Sequence, residues 1–294
     1  MTINNLGGRN WGHLRIGRFD PSAYFSLPTS RPTFVPIGPE LAPPFTQFSV
    51  PTINRIGIFP SAFSAKFSGL FERNGTAILP FTSSLFNSGH EVGIDIHGRP
   101  FGDWFLYQIG VLNGANERFG DSNNAKDWYV LVRLDHGDSD YFSANLSGFA
   151  YFGDENALVS PLFPAVNWSR YGIGARVRYR WLEMLGAFTY DRITNVPVAL
   201  SSTFDETASG LTVEVHVILT DRLVTSIRYN HLDAGGILAA RKSLSVLGVQ
   251  AQYYLRSNIA FFVRDEVNVR ASEGGSSPER NFRNLLMAGV SSAF

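Results

Sequence analysis

The chain has 294 residues, no cysteine, and a formal net charge of zero at pH 7. That combination excludes disulfides, cysteine metal sites and thiol catalysis, and it gives no bulk attraction to nucleic acid. Hydrophobic residues make up 44% of the chain and charged residues only 17%, below the ~25% usual for a soluble domain, yet no apolar run approaches the ~18 residues of a membrane helix.

In chain order, the first strand-like stretch is 11–19, where Leu14 and Ile16 alternate with Arg15. Residues 20–89 follow and hold ten of the fifteen prolines, as in "RPTFVPIGPELAPPF". Proline removes a ladder donor, so most of this segment cannot be central sheet. Its "NRIGIF" and "AFSAKFSGLFE" portions alternate and predict a hairpin. Strands are then predicted at 90–98, 104–113, 127–135 and 142–152. Period two is clearest in "SRYGIGARVRYR" (169–180), where Tyr171, Ile173, Ala175, Val177 and Tyr179 share one face and Arg170, Arg176, Arg178 and Arg180 the other. Strands at 182–191, 209–219, 222–231, 243–255, 258–269 and 282–294 complete a set of twelve. Successive strand side chains point to opposite faces, so each segment has one apolar and one polar face. A helical reading would mix arginines into the apolar stripe. Most of the strands are longer than the ~5–6 residues of globular proteins and match the ~9–11 tilted residues that cross a bilayer.

The connections alternate in length. Those at 99–103, 136–141, 180–181, 220–221 and 256–257 are short. Those at 20–89, 114–126, 153–168, 192–208, 232–242 and 270–281 are long. A transmembrane barrel places short turns on the periplasmic side and long loops outside. The predicted fold is therefore all-β: an antiparallel up-and-down transmembrane barrel of about twelve strands, with a long Pro-rich loop after the first, in a single domain over 1–294. Its apolar face meets lipid and its polar face the lumen. Aromatic pairs near strand ends fit interfacial girdles: Trp128 and Tyr129, Tyr151 and Phe152, Tyr179 and Trp181, Tyr253 and Tyr254, Phe261 and Phe262.

The final residues, "RNFRNLLMAGVSSAF", resemble the last strand of bacterial outer-membrane barrels, which the assembly machinery reads. Phe294, Val290, Ala288 and Leu286 stand in the expected register, with Ser292 a weak spot. The amino-terminus shows no charged start followed by an apolar core. Either a secretory signal has been removed or the chain begins inside a longer gene.

A more specific resemblance lies in 90–135. Its "GIDIHG" strand, short turn, "YQIGVLNG" strand, Asp/Asn-rich loop and "KDWYVLVRL" are similar to the phosphate-selective porin family of Gram-negative bacteria, as is "LRIGRFDP" (14–21). The resemblance covers about a fifth of the chain. It implies a passive, often trimeric channel of sixteen strands, with a long loop folded into the lumen at the place of 20–89. Twelve strands and only three lysines depart from that pattern, so phosphate selectivity does not carry over.

On this register the pore-lining candidates are Arg15, Asp95, Arg133, Arg176, Arg178, Arg180, Glu214, His216, Arg228, Arg264, Glu266 and Arg283. The row Arg176, Arg178, Arg180, countered by Glu183 and Asp191 on one side only, predicts a basic wall and a weak preference for anions. "GDSNNAKD" (120–127) reads as a turn, because Ala125 breaks the calcium-loop pattern. The six histidines suggest no zinc spacing, and no cofactor or metal is expected. His216, Glu214 and Ser226 on neighbouring strands could form the set an outer-membrane hydrolase needs, or simply polar lining. The reading is an outer-membrane porin, not an enzyme, passing small anionic or neutral solutes. Its partners are outer-membrane lipid and the barrel assembly machinery, with a homotrimer implied by the resemblance and no nucleic acid. The alternatives are a sheath around a partner such as an electron-transfer cytochrome, and a barrel enzyme.

Overall fold

The computed structural model describes residues 2–4, 10–19, 25, 52–53, 72–73, 76–77, 81–82, 91–113, 126–137, 141–155, 166–199, 202–235, 242–256, 259–271 and 284–292. Every element among them is a strand. The first half of the chain holds β1 (Thr2–Ile3), β2 (His13–Phe19), β3 (Thr52–Ile53), β4 (Glu72–Arg73), β5 (Thr76–Ala77), β6 (Phe81–Thr82), β7 (Glu91–Gly98), β8 (Phe105–Leu112) and β9 (Asp127–His136). The second half holds β10 (Phe142–Glu155), β11 (Val166–Tyr179), β12 (Leu182–Ala199), β13 (Ser202–Ile218), β14 (Leu223–Gly235), β15 (Lys242–Arg256), β16 (Ile259–Ala271) and β17 (Asn284–Ser292).

Thirteen strands form one antiparallel sheet in the order β1-β2-β7-β8-β9-β10-β11-β12-β13-β14-β15-β16-β17. Apart from the 20–89 excursion, each strand pairs with its neighbours in sequence, which is the up-and-down meander of an outer-membrane β-barrel. The twelve predicted strands are all present. The thirteenth, β1, is two residues long, too short for alternation to register. In the 20–89 segment β3 pairs with β6 and β4 with β5. The predicted "NRIGIF" hairpin arm, and nearly all of "AFSAKFSGLFE", lie outside the described residues.

One expected loop is mostly strand. Residues 192–208 continue the β12–β13 ladder until only 200–201 separate the strands, with register shifts between Ile193/Val196 and Pro197/Ala199. Alternation fails there because Pro197 and a bulge break the pattern, while the backbone stays paired on either side.

Burial is inverted relative to a soluble sheet. One face carries exposed apolar residues, among them Ile94, Ile109, Val132, Leu146, Ile173, Phe188, Val213, Ile227 and Val263. The other carries buried polar ones, among them Asp95, Gln108, Arg170, Thr212, Glu214, Arg228 and Arg264. The aromatic pairs split across these faces. Trp128 is exposed while Tyr129 is buried, and Phe261 is exposed while Phe262 is buried. Only one member of each adjacent in-strand pair can join an outward girdle, because consecutive side chains point oppositely. At the short-turn end, Phe101, Trp104, Tyr141, Tyr179 and Trp181 are all exposed. At the other end Trp128 stacks on Phe152 at 4.2 Å.

Ile173 is 52% exposed in the middle of the apolar face of β11. Ile173→Arg should destabilise the folded protein by about 2–4 kcal/mol in phospholipid vesicles. Denaturant titration checks this, and Arg178→Gln on the same strand should be nearly neutral.

Candidate functional site: the polar inner face

Three clusters occupy the buried face. The first is centred on Asp95 of β7. The ladder sets Arg15 opposite Asp95 and Gly110 on its other side. Gly110 in turn faces Tyr129. A Cβ at Gly110 would lie 2.4 Å from the Tyr129 ring, so the missing side chain lets the ring lie across the wall and reach Asp95. The Tyr129 hydroxyl donates to Asp95 Oδ2 at 3.1 Å. Gln108 Nε2 donates to the same oxygen at 3.0 Å and to the Tyr129 hydroxyl at 2.5 Å. Arg15 Nε donates at 2.9 Å, and His97 Nδ1 lies 2.9 Å from Oδ1. The carboxylate is only 1% exposed, and such a charge persists in the interior only when paired and hydrogen-bonded.

The second cluster lies on β9 to β12. Arg170 grips Asp191 in two bonds, Nε to Oδ1 at 2.6 Å and Nη2 to Oδ2 at 3.0 Å, with both side chains 2% exposed. Arg176 Nε donates to Glu183 at 2.5 Å. Asp135 accepts from Arg133 at 2.7 Å and Arg99 at 3.0 Å. The Tyr151 hydroxyl donates to Asp127. Phe25, six residues beyond the end of β2, packs here against the inner face. Its ring meets Phe149 edge-on at 5.3 Å and sits where a Gly174 side chain would be. From β2 to β10 is four strand spacings along the wall, ~19 Å. Six residues extend at most ~20 Å, which is enough to span that distance. Further along the chain, β3 lies beside β12 and β13.

The third cluster joins β13 to β16. The ladder sets Glu214 opposite Arg228, His216 opposite Ser226, and Gln250 between Ser226 and Arg264. Thr212 Oγ1 donates to Asn230 Oδ1 at 2.5 Å. Ser226 Oγ is 3.0 Å from His216 Nδ1. His216 Nε2 lies 2.8 Å from Glu214 Oε1, as close as an ion pair but outside hydrogen-bond geometry. The hydroxyl, imidazole and carboxylate considered from sequence do meet, although Ser226 is 3% exposed.

Of the twelve lining candidates, Arg15, Asp95, Arg133, Arg176, Arg178, Glu214, His216, Arg228 and Arg264 lie on this face. The Glu266 side chain and Arg283 lie outside the description. Arg180 is a correction: it occupies the β11–β12 turn with φ 51° and is exposed. The turn carries its side chain off the strand's alternation, and its guanidinium lies over the Tyr141 ring at 4.3 Å. The basic row is also corrected, because Arg176 is neutralised by Glu183 and Asp191 is taken by Arg170. Arg170, Asp127, Gln108 and Tyr129 were missing from the candidates. Alternation puts each on the polar face of its strand, and that phase was the available signal. Of the assembly residues, Leu286, Ala288 and Val290 are exposed on one face of β17, and Phe294 is outside the description.

No family model matches the chain, and no curated protein is significantly similar to it. Among solved structures it is similar to "Outer-membrane expressed OmpT of Vibrio cholerae", at 10% sequence identity and a TM-score of 0.53. The match covers 97% of this chain and 78% of that one. At such identity the likeness shows an outer-membrane β-barrel fold and nothing of the chemistry. The expected exclusion of enzyme activity is therefore corrected, because this fold, the finding in hand, does not exclude catalysis.

Arg15→Ala leaves Asp95 buried with its main counter-charge gone and should cost about 3 kcal/mol. Arg15→Leu combined with Asp95→Leu should recover most of that loss. A double-mutant cycle by denaturant unfolding measures it.

Proposed function

We propose that the protein is an outer-membrane porin, a passive channel for small hydrophilic solutes with a weak preference for anions. The observation that carries this reading is the inverted sheet, apolar where it meets solvent and polar where it is enclosed. Such a wall suits a barrel set in lipid around an aqueous path. Phe25 on the inner face and β3 beside β12 and β13 support a narrowed lumen, which would limit solute size.

The anion preference rests on charge balance. The described inner face carries Arg15, Arg133, Arg170, Arg176, Arg178, Arg228 and Arg264 against Asp95, Asp127, Asp135, Glu183, Asp191 and Glu214, seven bases to six acids. Among the described residues Arg178 makes no ion pair, because its cross-strand neighbour Glu183 is engaged by Arg176. One unmatched cation in a compensated wall gives a modest bias. A sheath around a threaded partner requires an open bore, which the Phe25 ring against the inner wall disfavours.

A second reading, hydrolysis at Ser226, is favoured by the contact of Ser226 with His216 beside Glu214. Its weakness is the oxyanion. The neighbouring backbone N–H groups belong to ladders and offer no preorganised donors. Labelling of Ser226 by a fluorophosphonate, abolished by His216→Ala, is the result that this reading requires.

The purified protein should produce stable conductance steps in planar bilayers, with a reversal potential slightly toward anions in a salt gradient. Arg178→Gln should move that potential toward cations, while Phe25→Ala should raise single-channel conductance. Absence of any conductance from correctly folded protein would defeat the porin reading.

A further inference from the structure

The apolar exterior has an exception. Asp265 is the central residue of β16. Its cross-strand neighbours are Val249 on β15 and Leu286 on β17, both exposed on the apolar face, and Val263 beside it in that face is 53% exposed. Asp265 Oδ1 is shielded from solvent, and among the described residues it has no hydrogen-bond partner. A carboxylate at the middle of a lipid-facing strand is costly, and an ionisable group at that depth calls for a partner.

A second observation falls on the same face. Tyr229 and His231 of β14 lie in phase with exposed Ile227, and thus on the exterior. Both reach Ser245 of β15: His231 Nδ1 is 2.8 Å from Ser245 Oγ, and the Tyr229 hydroxyl donates to it at 3.3 Å. Ser245 is buried beneath them. On β7 to β11 the exterior mid-strand positions are apolar or aromatic, as with Ile94, Ile109, Val132, Leu146 and Ile173. Mid-strand polar groups on the exterior are thus found on β14–β16 and not on β7–β11; exterior charges elsewhere, such as Arg18 on β2 and Arg192 on β12, are exposed.

We propose that this face is covered by a second copy of the same chain. The inference rests on the membrane-embedded reading above. Two copies inserted in the same sense are related by an axis along the membrane normal. An axis passing at β15 sets β16 of each copy against β14 of the other. The carboxylate of one then faces the strand that carries the hydroxyl and imidazole donors, and the reverse holds across the axis. Such an isologous contact is self-complementary, and it gives Asp265 Oδ1 the donors that the described residues of its own sheet do not.

The chain has no cysteine, so single-cysteine variants report one contact each. Val249→Cys, beside the axis, should form a disulfide-linked dimer when outer membranes are oxidised with copper phenanthroline. Ile173→Cys, on the exterior of β11, should not. Asp265→Leu in the Val249→Cys background should lose the crosslink. Recovery of each variant in the outer-membrane fraction, with heat-modifiable mobility, separates failure of this proposal from failure of the membrane reading. Lack of a Val249→Cys dimer in correctly inserted protein overturns the proposal. So does equal crosslinking at both positions, or an Asp265→Leu barrel that is more stable with its crosslink intact, as removal of a charge from lipid would produce.

Discussion

Hydrocarbon offers no partner for a backbone N–H or C=O, and the rest of this structure follows from that constraint. A chain that crosses lipid as strands must pair each strand with neighbours, so every crossing from β2 to β16 is bonded on both sides. Pairing imposes period two, and period two assigns alternate residues to lipid and to the enclosed space. The sheet is thereby turned inside out. Its apolar side chains provide contact with the membrane, and its polar side chains must find partners in a confined interior.

That interior meets its obligations by cross-strand pairing. Antiparallel register places Arg15 opposite Asp95, Arg170 opposite Asp191 and Glu214 opposite Arg228. The predominance of Arg, 22 of the 25 basic residues, fits this duty, since a forked cation can satisfy a carboxylate in two bonds without leaving the wall. Small residues do complementary work. Gly110 and Gly172 each lie beneath an aromatic ring from the adjacent strand, Tyr129 and Phe149 respectively. The rings lie flat against the sheet instead of projecting across the lumen, which keeps bore available and brings the Tyr129 hydroxyl to Asp95.

A wall whose charges are mostly matched has a weak field, so on the porin reading proposed above discrimination among solutes falls to size and to the few unmatched groups. On that reading Phe25 contributes to the first and Arg178 to the second. The exterior obeys the same electrostatic logic. A matched charge is tolerated in the interior, whereas Asp265 is set among valines and a leucine outside, and its Oδ1 has no hydrogen-bond partner among the described residues.

The fold class was legible in the sequence because alternation is a local property. Arg176, Arg178 and Val177 reveal the two faces of β11 without any knowledge of its neighbours, and loop lengths then order the strands. The resemblance of 90–135 to a porin family points the same way, and the structural likeness supports the barrel and does not bear on that family. Sequence alone failed where a residue's position depends on something beyond its own strand. Arg180 was placed in the row by parity, but a tight turn with positive φ carries it out. Residues 192–208 look like loop because Pro197 breaks alternation, while the ladder continues past a bulge. Pairings were equally hidden. That Asp191 belongs to Arg170 is set by register between strands, while Glu183, opposite Arg178 in the ladder, is taken diagonally by Arg176; register comes from tertiary closure of turns and bulges. The sequence by itself determined which face each strand residue occupies, because one-residue geometry decides it. Only the tertiary structure decided which charges cancel, because cancellation needs two strands held in one register.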